Sequence, residues 1–306
     1  MLSGCESSNS DSSKNNRERP IALEDIPSRT VVVDSADAVF ALFNELHYTH
    51  DEWNAGNRLV PRIYMAGIPA RWQKTSNSLT VAKKKELFFR LLAPLVLQAN
   101  EFIHRDRQRL LHLSGSFESM SKKDQQWLLD LGRQYKVIRA DATSVSAENM
   151  AELKMRVDTI PVSLALAQGA EESGWGTSRF AVLGNSLFGQ WDFSGKGIRP
   201  KKQRKELGDY GLARFDTPLD SVVGYMRNLN THRAYQKLRE YRASLRKQSK
   251  DVTGFELAKK LDKYSERGPK YVEGLHDIMR VNNLAHTDKA YLSNQEVIYL
   301  NHTDNS

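Results

Sequence analysis

Two adjacent carboxylates, Glu171 and Glu172, stand where a helical segment runs into Ser173 and Gly174. That position is unfavourable for negative charge. A helix macrodipole is negative at its C-terminus and favours cations there by about 0.3–1 kcal/mol. A glycine at this point suits the left-handed conformation that stops a helix. If Trp175 or Phe180 also packs against one of these carboxyls, its charged form is disfavoured by desolvation as well as by the dipole. Both effects move the pKa toward the value a general acid needs. Consecutive helical residues project about 100° apart, so one of the pair faces a cleft. Gln168 lies four residues before Glu172 and shares its face, which makes Glu172 the inward residue and Glu171 the more exposed one.

The remaining residues narrow the chemistry. Cys5 is the only cysteine, which excludes an intrachain disulfide and any cysteine-built zinc or iron-sulfur site. His47, His50 and Asp51 have helical metal-ligand spacing, but H-x-x-H without the HExxH pattern reads as ordinary surface or core histidine, so no metal and no cofactor is expected. The chain has neither a phosphate-binding glycine loop nor a nucleophile elbow. Lys and Arg number 45 against 37 Asp and Glu, a net charge of +8, which predicts attraction to a polyanion. The basic run Lys196, Arg199, Lys201, Lys202, Arg204 and Lys205 has no interleaved aromatics and no base-reading motif, so nucleic acid is not an expected partner.

The elements that must position Glu172 are mostly helical. In 306 residues with a mean hydropathy of −0.58, no apolar run approaches the roughly eighteen residues of a membrane span. Ser35 caps a segment in which Val39, Phe40, Phe43 and Leu46 recur at helical spacing. Thr80 opens a helix reaching residue 113 that Pro94 is expected to kink. Ser121 with Asp124 forms a capping pair for a further helix. Residues 59–65 (LVPRIYM) read as a strand. Residues 147–157 and 161–173 form two more helices, with Pro161 at a first helical position. Residues 194–214 hold four glycines and the basic run, which predicts a hairpin or loop. Helical periodicity returns over 219–245, 255–264 and 271–281, and the last twenty residues lose it.

The stretch around the acidic pair carries a longer pattern. Ala167, Gln168, Ala170, Glu172, Ser173, Gly174, Trp175 and Gly176 are followed after eight residues by Asn185, Leu187, Phe188 and Gly189. This resembles the signature of the bacterial peptidoglycan β-N-acetylglucosaminidases (glycoside hydrolase family 73). The resemblance runs from about 150 to 284, through RFDTPLDSVVGYMRNLNTHRAY to Tyr264 and Asn282. Upstream, LVPRIYMAGIP and KKKELFFRLLAPLVLQANEFIHRDRQRLL are similar to the helical region that precedes this domain in Bax-type proteins.

The resemblance implies a mostly α, lysozyme-like glucosaminidase fold with a small irregular or β-hairpin lobe, preceded by a helical region. The implied reaction is hydrolysis of the β-1,4 bond between N-acetylglucosamine and N-acetylmuramic acid in peptidoglycan, with Glu172 as the acid. Muramidase, lytic transglycosylase and wall-binding module are the alternatives. Gln168 and Asn185 are implied substrate contacts. Trp175 and Phe188 suit cleft wall and core equally, and Tyr235 favours the cleft. A second acid is usual in glycosidases. Glu206 and Asp209, in the basic hairpin, are the carboxylates available for it, and otherwise the substrate's acetamido oxygen attacks and Glu172 is the sole essential acid.

Four segments follow: a polar tail at 1–20, a helical region at 21–145, the glucosaminidase domain at 146–284 and a C-terminal tail at 285–306. In the first tail, Leu2, Ser3, Gly4 and Cys5 resemble a lipobox, the site where a lipoprotein precursor is cut and its cysteine acylated. Only Met1 precedes it, whereas an export signal carries a positive region and about 7–15 apolar residues, so the true start is expected upstream. The expected location is the bacterial envelope, in the periplasm, with attachment to the outer membrane through acylated Cys5.

Overall fold

The computed structural model describes residues 25–115, 119–192, 194–200 and 210–303. The mostly α architecture is the one expected, with two small sheets added. The chain opens with strand β1 (Ser28–Val33), helix α1 (Ala36–Glu45), the short α2 (His50–Asn54), strand β2 (Leu59–Met65) and α3 (Trp72–Ser78). The Ser35 hydroxyl accepts from the Ala38 amide at the start of α1, as its spacing predicts. A long helix follows, α4 (Val81–Ser114), capped by the Thr80 hydroxyl; it continues through Pro94, which is buried within it. α5 (Lys122–Gln134) begins with the predicted exchange between Ser121 and Asp124.

Next come α6 (Ala147–Arg156), α7 (Val162–Ser173) and α8 (Arg179–Gly184). Pro161 is the N-cap of α7, one position earlier than expected. Strands β3 (Trp191–Asp192) and β4 (Gly211–Leu212) pair antiparallel, which realises the expected hairpin lobe as a very short ladder. The predicted helix over 219–245 is two helices, α9 (Pro218–Thr231) and α10 (Gln236–Lys247), because the chain turns out of the α region at His232. α11 (Gly254–Ala258) stops well short of Tyr264, and α12 (Pro269–Val281) follows.

The final segment departs from its reading as a tail. Strand β5 (Tyr291–His302) is the middle of a three-stranded sheet, order β1-β5-β2, and runs parallel to both neighbours. Leu292, Val297, Ile298 and Leu300 on it are buried. Where the register jumps between Val60 and Arg62, the Arg62 side chain fills the bulge: it donates to the Ser293 carbonyl and Asn294 Oδ1, and pairs with Glu101 of α4 at 2.7 Å. A parallel partner needs a long crossover, and here that crossover takes in nearly the whole chain.

One continuous core joins the helical region to the downstream half, with Leu92, Leu95 and Val96 of α4 packed in the same cluster as Leu164, Leu166, Tyr225 and Leu229. Where α4 packs on α7, Gly169 leaves room for Leu92: a Cβ on it would sit 2.7 Å from Leu92 Cδ2. The start of α7 is fixed by charge. Asp158, in the link from α6, is almost completely buried and meets Arg246 Nε at 2.5 Å, Arg242 Nε at 3.5 Å and Arg107 Nε at 3.7 Å. Burial opposes the Asp158 charge, but Arg242, Arg246 and Arg107 outweigh it and hold the carboxyl below the usual range. Asp288, in the turn before β5, accepts from the amides of Ser163 and Gly254 and so ties the first turns of α7 and α11 together.

Candidate active site

Helix α7 is largely apolar, and all of Val162 to Ala170 is buried, with the polar Ser163 and Gln168 hydrogen-bonded inside. A helix of that composition belongs in the interior. Its last turn reaches the surface of the core, and there Glu171 and Glu172 emerge. Gly174 stops the helix in the left-handed conformation, at φ 56° and ψ 48°, where a side chain would cost roughly 1–2 kcal/mol. Trp175 follows with φ 61°. This strained residue is pinned from the helical region: its carbonyl accepts from Trp72 Nε1, and its ring meets Phe88 and Phe89 edge-on with Lys85 Nζ 5.0 Å above.

The Glu172 carboxyl is half-buried. Burial pushes its pKa above the ordinary range; a hydrogen bond from Tyr271 works against this, the charge of Glu171 adds to it, and Arg267 opposes it. Glu171 itself is bound to Arg267 at 2.6 Å, and the guanidinium lies over the Tyr271 ring at 5.4 Å. The pair thus divides as its helical geometry predicts, Glu172 inward and Glu171 outward. Gly189, with φ 59°, passes so close that a Cβ there would stand 3.4 Å from Glu172 Oε2.

Under the carboxyl lies a tyrosine cluster. Tyr225 donates to Gln168 Oε1 at 2.6 Å, and Gln168 Nε2 donates to the Tyr271 hydroxyl at 3.0 Å. With a lone pair of Tyr271 taken by Gln168, its proton is directed to Glu172. Tyr271 stacks on Tyr264 at 5.4 Å, Tyr264 leans on Tyr235, and Tyr225 stacks on Phe188 at 3.9 Å. Burial raises the phenol pKa values, that of Tyr235 to about 12, so all four hydroxyls are protonated at neutral pH.

Several residues expected to touch substrate have other positions. Gln168 is closed off from solvent, with both its amide atoms bonded to tyrosines. Phe188 is 2% exposed and belongs to the core. Trp175 sits in the seam with α4. Asn185, at φ 51°, clasps two other segments: it accepts from the Ile68 amide and donates to the carbonyls of Phe215 and Asp216. Of the substrate contacts read from sequence, Tyr235 is the one whose pKa responds to the charge of Glu172. Glu206, Asp209 and Cys5 lie outside the described residues. So do Lys201, Lys202, Arg204 and Lys205 of the basic run.

Tyr271, Tyr264 and Tyr225 were missed, because nothing in the local sequence distinguishes a tyrosine that donates to a carboxylate from one that fills a core. Among the described residues, Glu171 is the one other carboxylate whose charge acts on Glu172. Asp192 on β3 accepts from the amide and hydroxyl of Ser194, which hold it below the ordinary range. No group of three or more potential metal ligands occurs among the described residues. The arrangement is one protonatable carboxyl, oriented by a phenol, on an aromatic floor beneath a small lobe.

Residues 147–284 match the family model described as glucosaminidase, mannosyl-glycoprotein endo-beta-N-acetylglucosaminidase. The chain is 34% identical to protein bax of Escherichia coli (strain K12) over 189 residues, a match spanning 61% of this chain and 66% of that relative's length. Among solved structures, the catalytic domain of the autolysin Auto from Listeria monocytogenes is similar with a TM-score of 0.34 and 16% identity, over 58% of this chain and 96% of that one.

Proposed function

Residues 147–284 are a glucosaminidase-family domain in a Bax-type chain, and from that premise we propose that the protein is a peptidoglycan hydrolase of the cell envelope, cutting the β-1,4 bond between N-acetylglucosamine and N-acetylmuramic acid. The observation that carries the reading is the Glu172 carboxyl, raised in pKa by burial at the end of α7 and oriented by Tyr271. Protonated, it gives its proton to the glycosidic oxygen as the sugar acquires oxocarbenium character. The Tyr271 hydroxyl then stabilises the carboxylate left behind.

Two routes complete the reaction. In one the acetamido oxygen of the substrate attacks the anomeric carbon; in the other Glu206 or Asp209 supplies the second carboxylate. Glu206→Gln and Asp209→Asn, assayed beside the parent, separate them: unchanged turnover in both leaves the acetamido route, and loss in one identifies the second acid. Acylation of Cys5 would hold the enzyme beside its polymer, and palmitate labelling in cells expressing an extended reading frame checks that tether.

The central test is mass spectrometry of digested sacculi. The proposal expects fragments ending in reducing N-acetylglucosamine, and expects Glu172→Gln to lower turnover by at least about a hundredfold. Reducing N-acetylmuramic acid identifies a muramidase, a 1,6-anhydro product a lytic transglycosylase, and binding without release a wall-binding module. Each of those outcomes overturns the assignment.

A further inference from the structure

Trp191 is 50% exposed, and among the described residues of 147–284 it is the one exposed aromatic side chain. An indole buries a large apolar area when it can, so its position on the lobe calls for a reason. Its backbone pairs with Leu212 across the β3–β4 ladder. Directly opposed residues of an antiparallel pair project from the same face, and successive residues alternate. Trp191 and Leu212 therefore share one face of the hairpin, and Asp192 takes the other.

Leu212 shows where that face looks. Its Cδ2 and Glu172 Oε2 lie 3.8 Å and 3.4 Å from the same point, the place a Cβ would occupy on Gly189. Trp191 follows Gly189 by two residues, at the start of β3. Tyr210, itself buried, stacks on the indole at 4.8 Å with 25° between the rings. One side of the indole is thus backed by a buried ring, and half of the residue remains open to solvent.

We propose that Trp191 is the platform of a glycan subsite beside the Glu172 carboxyl, taking the apolar C–H face of an N-acetylhexosamine ring next to the one cleaved. This rests on the glycosidase reading and adds to it the residue that senses glycan length. A flat ring held from behind loses little freedom when a sugar stacks on it, so the contact favours binding without taking part in proton transfer.

Calorimetry with β-1,4-linked N-acetylglucosamine oligomers of increasing length, on the Glu172→Gln protein so that nothing is hydrolysed, tests the assignment. Trp191→Ala is expected to weaken binding of the longer oligomers about threefold to tenfold, the range of an aromatic stacking contact, and to leave the shortest unchanged. Trp191→Tyr is expected to restore most of the loss, a rescue that a merely structural role for the side chain does not give. Equal length dependence in Trp191→Ala and its parent overturns the platform alone. Failure of the parent to bind both oligomers and sacculi overturns the glycosidase reading and the platform with it.

Discussion

Below Glu172, Gln168, Tyr225 and Tyr271 are joined by buried hydrogen bonds, aromatic rings stack on them, and Asp158 locks the start of α7 with three arginines. In the lobe, β3 and β4 share two residue pairs among the described residues, supplemented by bonds such as Ala213 N to Gln190 O and the exchange between Ile198 and Leu212. The lobe carries a half-exposed tryptophan, Trp191; the floor places a carboxyl whose pKa depends on Tyr271, Glu171 and Arg267. Proton transfer fails if its donor moves by about an ångström, whereas a stacking contact tolerates a shift. The buried polar network among the described residues is thus concentrated under the Glu172 carboxyl.

The largest break in this contrast is Asp158→Ala, which leaves Arg242, Arg246 and Arg107 without their shared counter-charge in the interior. Denaturant titration should show a loss of about 3–5 kcal/mol, the cost of an uncompensated buried charge. Next is Tyr271→Phe, which deprives the buried Gln168 amide of its acceptor and should cost about 1–3 kcal/mol. Tyr271 favours the charged form of Glu172, so its removal raises that pKa further, and the alkaline limb of the kcat profile should move to higher pH. An unmoved limb would separate Tyr271 from the acid.

A smaller effect concerns Glu172 itself. Its folded-state pKa is raised, so its ionisation destabilises the fold as pH climbs through that pKa and has no effect well below the ordinary carboxyl range, about pH 4. Glu172→Gln should melt above the parent at pH 7, with the difference disappearing in acid. The smallest effect is on the lobe. Ser194→Ala removes an exposed turn contact to Asp192 and should change stability by no more than about 0.5 kcal/mol. A loss as large as that of Tyr271→Phe would show that the lobe is as tightly determined as the floor.

Local signals in the chain were read well where they depend on near neighbours. The caps at Ser35, Thr80 and Ser121, the glycine stop at 174 and the inward turn of Glu172 each rest on residues within four positions of one another. The two helices run together over 219–245 show the limit, since the break at His232 is a backbone choice that apolar periodicity does not register. Gln168 shows the same limit: its spacing from Glu172 gives a shared face, but not that this residue is buried between two tyrosines.

The sequence by itself determined a buried helix ending in an acidic pair, a glycine stop and a spacing that resembles the glucosaminidase family's. Tertiary structure alone decided that Tyr271, 103 residues from Gln168, hydrogen-bonds the Glu172 carboxyl, that three arginines close on Asp158, and that the last strand pairs in parallel with the first two. Periodicity reports which side of an element is apolar. It carries no information about which distant element covers that side, and the pKa of a carboxyl and the register of a parallel strand are set by that distant partner.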